Sequence, residues 1–187
     1  MGFSTRLRLV ALVLLAAATT GCRSRRAAAA DIPQGTYYTK YSLYFEKDLT
    51  RTTNYRRGIL LPINTEVALL SSRGDRIVVE IHPDGRKLTI ENVPRHTGGS
   101  LEDAFAQVLS SEPTDISGYS EEEQQAIEGG KAIVGMSKDA VLAAMGPPPQ
   151  TGTLSLESNT WKYWDTRFTT FNVVFGEDGR VTNARQR

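Results

Sequence analysis

The hydrophobic rhythm of the chain changes three times. Residues 9–18 are apolar without a break. From Tyr37 to Val93, short apolar runs alternate with polar positions and are separated by turn residues. Tyr37–Phe45, Ile59–Leu61, Glu66–Leu70, Arg76–Ile81 and Lys87–Val93 read as strands, punctuated by Pro62-Ile63-Asn64, Ser72-Arg73-Gly74-Asp75 and Pro83-Asp84-Gly85. Strand, glycine-bearing turn and strand at this spacing predict an antiparallel meander. About five such strands curl most naturally into a small SH3-like barrel.

After Gly98-Gly99 the period becomes helical. Ser100 is placed to cap Leu101–Leu109, with Leu101, Phe105, Val108 and Leu109 on one face. Ser120 and Glu123 form a capping box for a helix to Glu128, and Gly129-Gly130 supplies a left-handed stop. Ser137 caps Lys138–Met145, and Gly146 with Pro147-Pro148-Pro149 ends that helix. Strands at Asn159–Trp164, Thr169–Phe175 and Arg180–Arg185 complete the chain, the last pair joined by Glu177-Asp178-Gly179-Arg180. The pattern predicts an α+β protein with a signal segment at 1–21, a tether at 22–30, a β-rich unit at 31–98 and an α+β unit at 99–187.

The N-terminal segment changes the picture most. Arg6 and Arg8 precede the apolar run, and Thr19-Thr20-Gly21-Cys22 follows it. A basic start, a short apolar run and small residues describe an export signal; a membrane span would need roughly 20 apolar residues. Gly21-Cys22 matches the end of a bacterial lipobox, where the thiol receives diacylglycerol and the chain is cut before it. Cys22 is the only cysteine, and an unpaired thiol in an exported chain calls for such an explanation. Each buried acyl methylene adds about 0.8 kcal/mol, so several chains such as palmitate anchor a protein without embedding it. Arg23 stands where an aspartate is associated with inner-membrane retention, which favours the outer membrane and a periplasmic orientation.

Charge excludes other classes. The sequence holds 22 Lys+Arg against 21 Asp+Glu; losing Arg6 and Arg8 with the signal leaves 20 against 21. Such a balance argues against nucleic-acid binding. A single cysteine excludes intrachain disulfides and cysteine-based zinc sites. His82 and His96 have no second ligand at metal-binding spacing, Asp48, Asp75 and Asp84 fall at turns, and Glu121-Glu122-Glu123 complements a helix start. There is neither a Gly-x-Ser-x-Gly context nor a phosphate cradle. The expectation is a non-enzyme with no metal and no cofactor.

One stretch carries a resemblance. Gly135-Met136-Ser137, then Val141, Gly146-Pro147-Pro148, Trp161-Lys162-Tyr163-Trp164, and Phe175 with Asp178-Gly179-Arg180-Val181 stand in order over the last 70 or so residues. Together they resemble the SmpA/OmlA (BamE-like) lipoprotein family, with one extra residue between Phe175 and Asp178. The resemblance implies two helices packed on a three-stranded antiparallel sheet. It also implies a non-catalytic adaptor in the cell envelope that supports outer-membrane protein assembly, with the β-barrel assembly machinery as partner. The β-rich region before it has no counterpart in minimal family members.

Strand alternation sends Trp161 and Tyr163 to a core face and leaves Trp164, with Arg167 and Phe168 at the next turn, as the candidate partner contact, since Trp and Arg are favoured at hot spots. An alternative function is a periplasmic sensor or inhibitor that grips a soluble protein or peptidoglycan through the N-terminal β unit. There Tyr37, Tyr38, Tyr41, Tyr44 and Tyr55 are candidates to line an aromatic groove.

Overall fold

The computed structural model describes residues 31–184; the signal segment, Cys22 and the tether lie outside the described residues. The elements run β1 (Thr36–Thr39), β2 (Leu43–Phe45), β3 (Leu49–Arg51), β4 (Ile59–Leu61), β5 (Glu66–Arg73), β6 (Arg76–Ile81) and β7 (Arg86–Glu91). A single turn α1 (Pro94–Thr97), α2 (Leu101–Val108) and β8 (Leu109–Ser110) follow, then α3 (Glu121–Glu128) and α4 (Lys138–Met145). The chain ends in β9 (Thr160–Trp164), β10 (Thr170–Phe175) and β11 (Val181–Ala184). The protein is α+β, with a curled six-stranded sheet in the order β3-β7-β6-β5-β1-β8, a β2-β4 ribbon and a three-stranded antiparallel sheet β11-β10-β9.

Alternation builds the first core. Val67 and Leu69 of β5, Ile77, Val79 and Ile81 of β6, and Leu88 and Ile90 of β7 all point inward and are buried. The β6–β7 turn closes as its residues require: the Asp84 carboxylate accepts from the Arg86 N–H at 2.9 Å, and Gly85 takes φ 71°.

Three features depart from the sequence expectations. The expected strand Tyr37–Phe45 is broken between β1 and β2. There Ser42 Oγ accepts from the Ile63 N–H and donates to the Ile127 carbonyl, a role no regular strand allows. β3 was not anticipated. It begins after a two-residue turn in which Lys47 and Asp48 both have positive φ (52° and 58°), and Glu46 and Leu49 exchange backbone hydrogen bonds. That turn type favours Asn-Gly, so its sequence is a weak signal.

The third departure moves the unit boundary. Leu101, Val108 and Leu109 bury in the first core, and Leu109-Ser110 pairs with β1, so the second unit begins after Ser110, not at residue 99. A helical period shows which face is apolar but not which core that face covers.

The second core joins α3 and α4 to β9–β11. Met136, Val141, Met145, Trp161, Tyr163, Val173, Phe175 and Val181 form it together. Trp161 meets Phe175 edge-on at 4.7 Å between ring centroids, and its Nε1 donates to the Leu156 carbonyl. Caps stand where the sequence set them: Ser120 with Glu123 as a reciprocal box, and Ser137 accepting from the Ala140 N–H. At the end of α3 it is Gly130, at φ 63°, that turns left-handed, while Gly129 remains helical.

Gly146 closes α4 at φ 70°, and a Cβ there would lie 2.6 Å from the Tyr41 ring, which packs against it from the first unit. Gly179 has a similar φ of 74° but open space around it. Gly146→Ala is therefore expected to destabilise by about 2–4 kcal/mol through clash plus backbone strain. Gly179→Ala should lose only about 1 kcal/mol. Urea midpoints of the two variants compared with wild type measure the difference; equal losses would contradict the packing argument.

Candidate functional site

Where the two units meet, one side chain organises the contact. The Arg56 guanidinium is partly buried; its Nη2 donates to the Gly130 carbonyl at 2.7 Å and its Nη1 to the Ser42 and Met145 carbonyls at 2.9 and 3.2 Å. Gly130 and Met145 stand at the C-terminal ends of α3 and α4, so one cation closes both helices where the macrodipole is negative. Arg56 also lies 4.8 Å over the Tyr44 ring. Burial lowers its pKa, while Tyr44, Tyr163, Tyr41 and Asp165 work the other way. Asn54 Nδ2 donates to the Met145 carbonyl at 2.6 Å, and Ser42 Oγ reaches the ends of α3. On the far side, the Arg56 N–H donates to the Trp164 carbonyl at 2.9 Å and Tyr55 bridges to Trp164, which links the segment to the end of β9.

The sequence-chosen residues separate here. Trp161 and Tyr163 are fully buried, as alternation requires. Trp164 is partly buried and joined to Arg56 through its backbone; its Nε1 has no hydrogen-bond partner among the described residues. Arg167 and Phe168 are exposed at the β9–β10 turn, Phe168 to 85%, with the guanidinium 5.1 Å from its ring. The turn itself is ordered by Thr166, whose hydroxyl accepts from the Phe168 and Thr169 N–H groups.

The tyrosines of the alternative do not line a common groove. Tyr37 packs edge-on against Phe105, and Tyr41 is in the core. Tyr44 and Tyr55 do share a groove of about 390 Å³, together with Glu46, Lys47, Arg51 and Arg57. A second groove of similar volume, about 390 Å³, runs between Lys40, Tyr41 and Gln107 of the first unit and Asp139 and Leu142 of α4.

His96 pairs with the Thr151 hydroxyl at 2.9 Å, and burial followed by the Arg95 charge lowers its pKa. His82 faces Glu66 at 3.7 Å. Among the described residues no group of three or more His, Cys, Asp or Glu is placed to hold a metal ion, and no helix is long and apolar enough to cross a membrane. Sequence reasoning missed Arg56 and Asn54, because a polar stretch between strands carries no period to mark them, and Ser42, because it sits within a run that reads as one strand.

No family model, curated protein or solved structure matches this chain. The residues themselves must therefore carry the functional reading.

Removing the clamp tests the join. Arg56→Met should destabilise by about 2–4 kcal/mol, since several carbonyls lose a charged donor. Arg56→Lys should fall between, because a single ammonium cannot reproduce the planar fork. Chemical denaturation with two probes, tryptophan fluorescence and helical circular dichroism, checks both; a loss under 0.5 kcal/mol for Arg56→Met would exclude the clamp.

The tyrosines at the join add a pH dependence. Burial pushes the Tyr41 phenol up to about 12 against the pull of Arg56, and burial raises Tyr163 as well. A raised phenol favours the folded state fully below its unfolded value of 10.0, and that contribution disappears as pH rises toward about 12. Stability should thus decline through this alkaline window, and Tyr41→Phe should flatten the decline. Urea midpoints between pH 9 and 12, read with phenolate absorbance, decide it.

Proposed function

We propose that this protein is a lipid-anchored bacterial envelope lipoprotein, acylated on Cys22, that acts as a non-catalytic binding or scaffolding module. The reading places it at the outer membrane facing the periplasm, beside membrane-bound partners such as the β-barrel assembly machinery. The anchor rests on sequence alone: a basic start, an apolar run and Gly21-Cys22.

The finer fold reading, a BamE-like second unit behind an SH3-like first one, is supported by the element order α3-α4-β9-β10-β11 around a single core. Met136, Val141, Trp161, Tyr163, Phe175 and Val181, which carry the family resemblance, are all buried in that core. Their burial supplies a packing reason for the pattern.

The observation that carries the contact reading is Phe168, 85% exposed at a turn tip with Arg167 against its ring. An aromatic held in water by an ordered turn gains by burial against a partner, by about 1.5–3 kcal/mol for a full side chain. Lipid attachment confines the module to a surface and raises its effective concentration near partners there.

Two variants test the two halves of the proposal. Cys22→Ala should move the protein from the membrane to the soluble fraction and abolish metabolic labelling with palmitate; continued membrane fractionation would refute the anchor. Phe168→Ala should keep wild-type stability within about 0.5 kcal/mol but lose crosslinks to envelope proteins formed by a photoreactive group at the exposed Thr170. Unchanged crosslinks would refute the contact.

A further inference from the structure

The groove between the first unit and α4 leaves a buried polar group unanswered. Leu142, Ala143, Pro147 and Leu156 supply its apolar lining, and Tyr41 lines it from the first core. Tyr41 is only 5% exposed, and its hydroxyl makes no hydrogen bond among the described residues. A buried phenol ordinarily finds a partner, as the neighbouring Tyr163 does in donating to the Gly146 carbonyl at 2.8 Å. Among the described residues, the fully enclosed side-chain atoms without a partner are Thr53 Oγ1 and Trp164 Nε1. The Tyr41 hydroxyl is therefore not sealed in; it opens on the groove that Tyr41 lines.

Two opposite charges face each other across this groove, and neither is ion-paired among the described residues. Lys40, on the first unit, is exposed; its Nζ donates to the Ala106 carbonyl at 2.9 Å and meets no carboxylate. Asp139, exposed in the first turn of α4, has neither a hydrogen bond nor an ion pair. Its charge reaches Tyr119, which also lines the groove: burial raises that phenol's pKa, and Asp139 and then Glu123 add to the rise. The Glu123 carboxylate is committed to Ser120, so Asp139 is the acid left for a ligand. Lys138 is turned elsewhere, onto the Leu156 and Glu157 carbonyls.

We infer that this groove binds a short apolar peptide with free termini, its ammonium group at Asp139, its carboxylate at Lys40 and a backbone carbonyl on the Tyr41 hydroxyl. A space of about 390 Å³ lies at the small end of ligand pockets, so it takes a compact molecule and not a folded partner. An acyl chain would cover the apolar lining but leave Asp139 and the Tyr41 hydroxyl unanswered. A simple ion would answer one charge and leave the lining in water. A zwitterionic peptide meets all three demands at once. The site is distinct from the Phe168 turn and rests on neither that contact nor the anchor.

The test uses the full chain in lipid nanodiscs, with leucine methyl groups labelled for NMR, and the tripeptide Leu-Ala-Leu as probe. The free peptide should shift the Leu142 and Leu156 methyl resonances in a saturable way. N-acetylating or C-amidating the peptide should each weaken binding about fivefold, as expected for charges at a solvated rim. Acetylation should cost nothing further in Asp139→Asn, and amidation nothing further in Lys40→Met, because the opposing charge is gone; both positions are exposed. Tyr41→Phe should also weaken binding about fivefold at neutral pH. The proposal is overturned if those methyls do not shift up to about 10 mM peptide, if free and blocked peptides bind equally, or if the blocking penalties persist in the variants. Unchanged binding by Tyr41→Phe overturns it too, as does a shift of the same methyls by decanoate and not by the tripeptide. Free and blocked peptides are compared on the wild-type chain, so the question is decided even if a variant fails to fold.

Discussion

Two short helices end against a β-rich segment, and a single cation satisfies both ends. Every α-helix leaves its last carbonyls without partners, and in helices of eight residues those carbonyls are a large share of the backbone. Here they are gathered by Arg56, Asn54 and Ser42, none of which belongs to the helical unit. The arrangement keeps a charged group out of bulk water without a carboxylate in hydrogen-bond contact. Its counter-charge is the summed partial charge of carbonyls and helix ends, together with the face of Tyr44. Neither unit can satisfy its polar groups at this surface without the other.

That constraint explains the local oddities of residues 40–65. The chain cannot run straight from β1 into β2, because Ser42 must turn toward α3. Asn54 takes a positive φ of 52° while its side chain reaches α4. Gly130 and Gly146 leave no room for a side chain, since Arg56 and Tyr41 occupy the space a Cβ would need. The open β2–β3 hairpin belongs to the same geometry. β2 pairs with β4 and β3 with β7, so the hairpin splays. The Tyr55–Trp164 bridge carries the rigidity onward to the strand that precedes the Phe168 turn.

Much of this could be read along the chain, and the reason is local. Ser120 and Ser137 act on backbone within four residues of themselves, so their roles follow from neighbours in sequence. Trp161 and Tyr163 were assigned to the core by strand alternation alone, and both are buried. The candidate contact was only partly legible. Arg167 and Phe168 are exposed as a turn position suggests, whereas Trp164 is drawn toward the join by a backbone bond from a residue more than a hundred positions earlier.

What the amino-acid order determined is what periodicity and short-range hydrogen bonding control: the three longer helices, their caps, most strands and the inward faces. What the tertiary structure decided is which surfaces meet. α2 went to the first core and not the second, Tyr37 and Tyr41 parted from the groove that Tyr44 and Tyr55 share, and an arginine in a polar stretch became the clamp. The physical reason is that an apolar face or a free carbonyl specifies the kind of partner it needs but not its address. The address emerges only when all such needs are met in one packing.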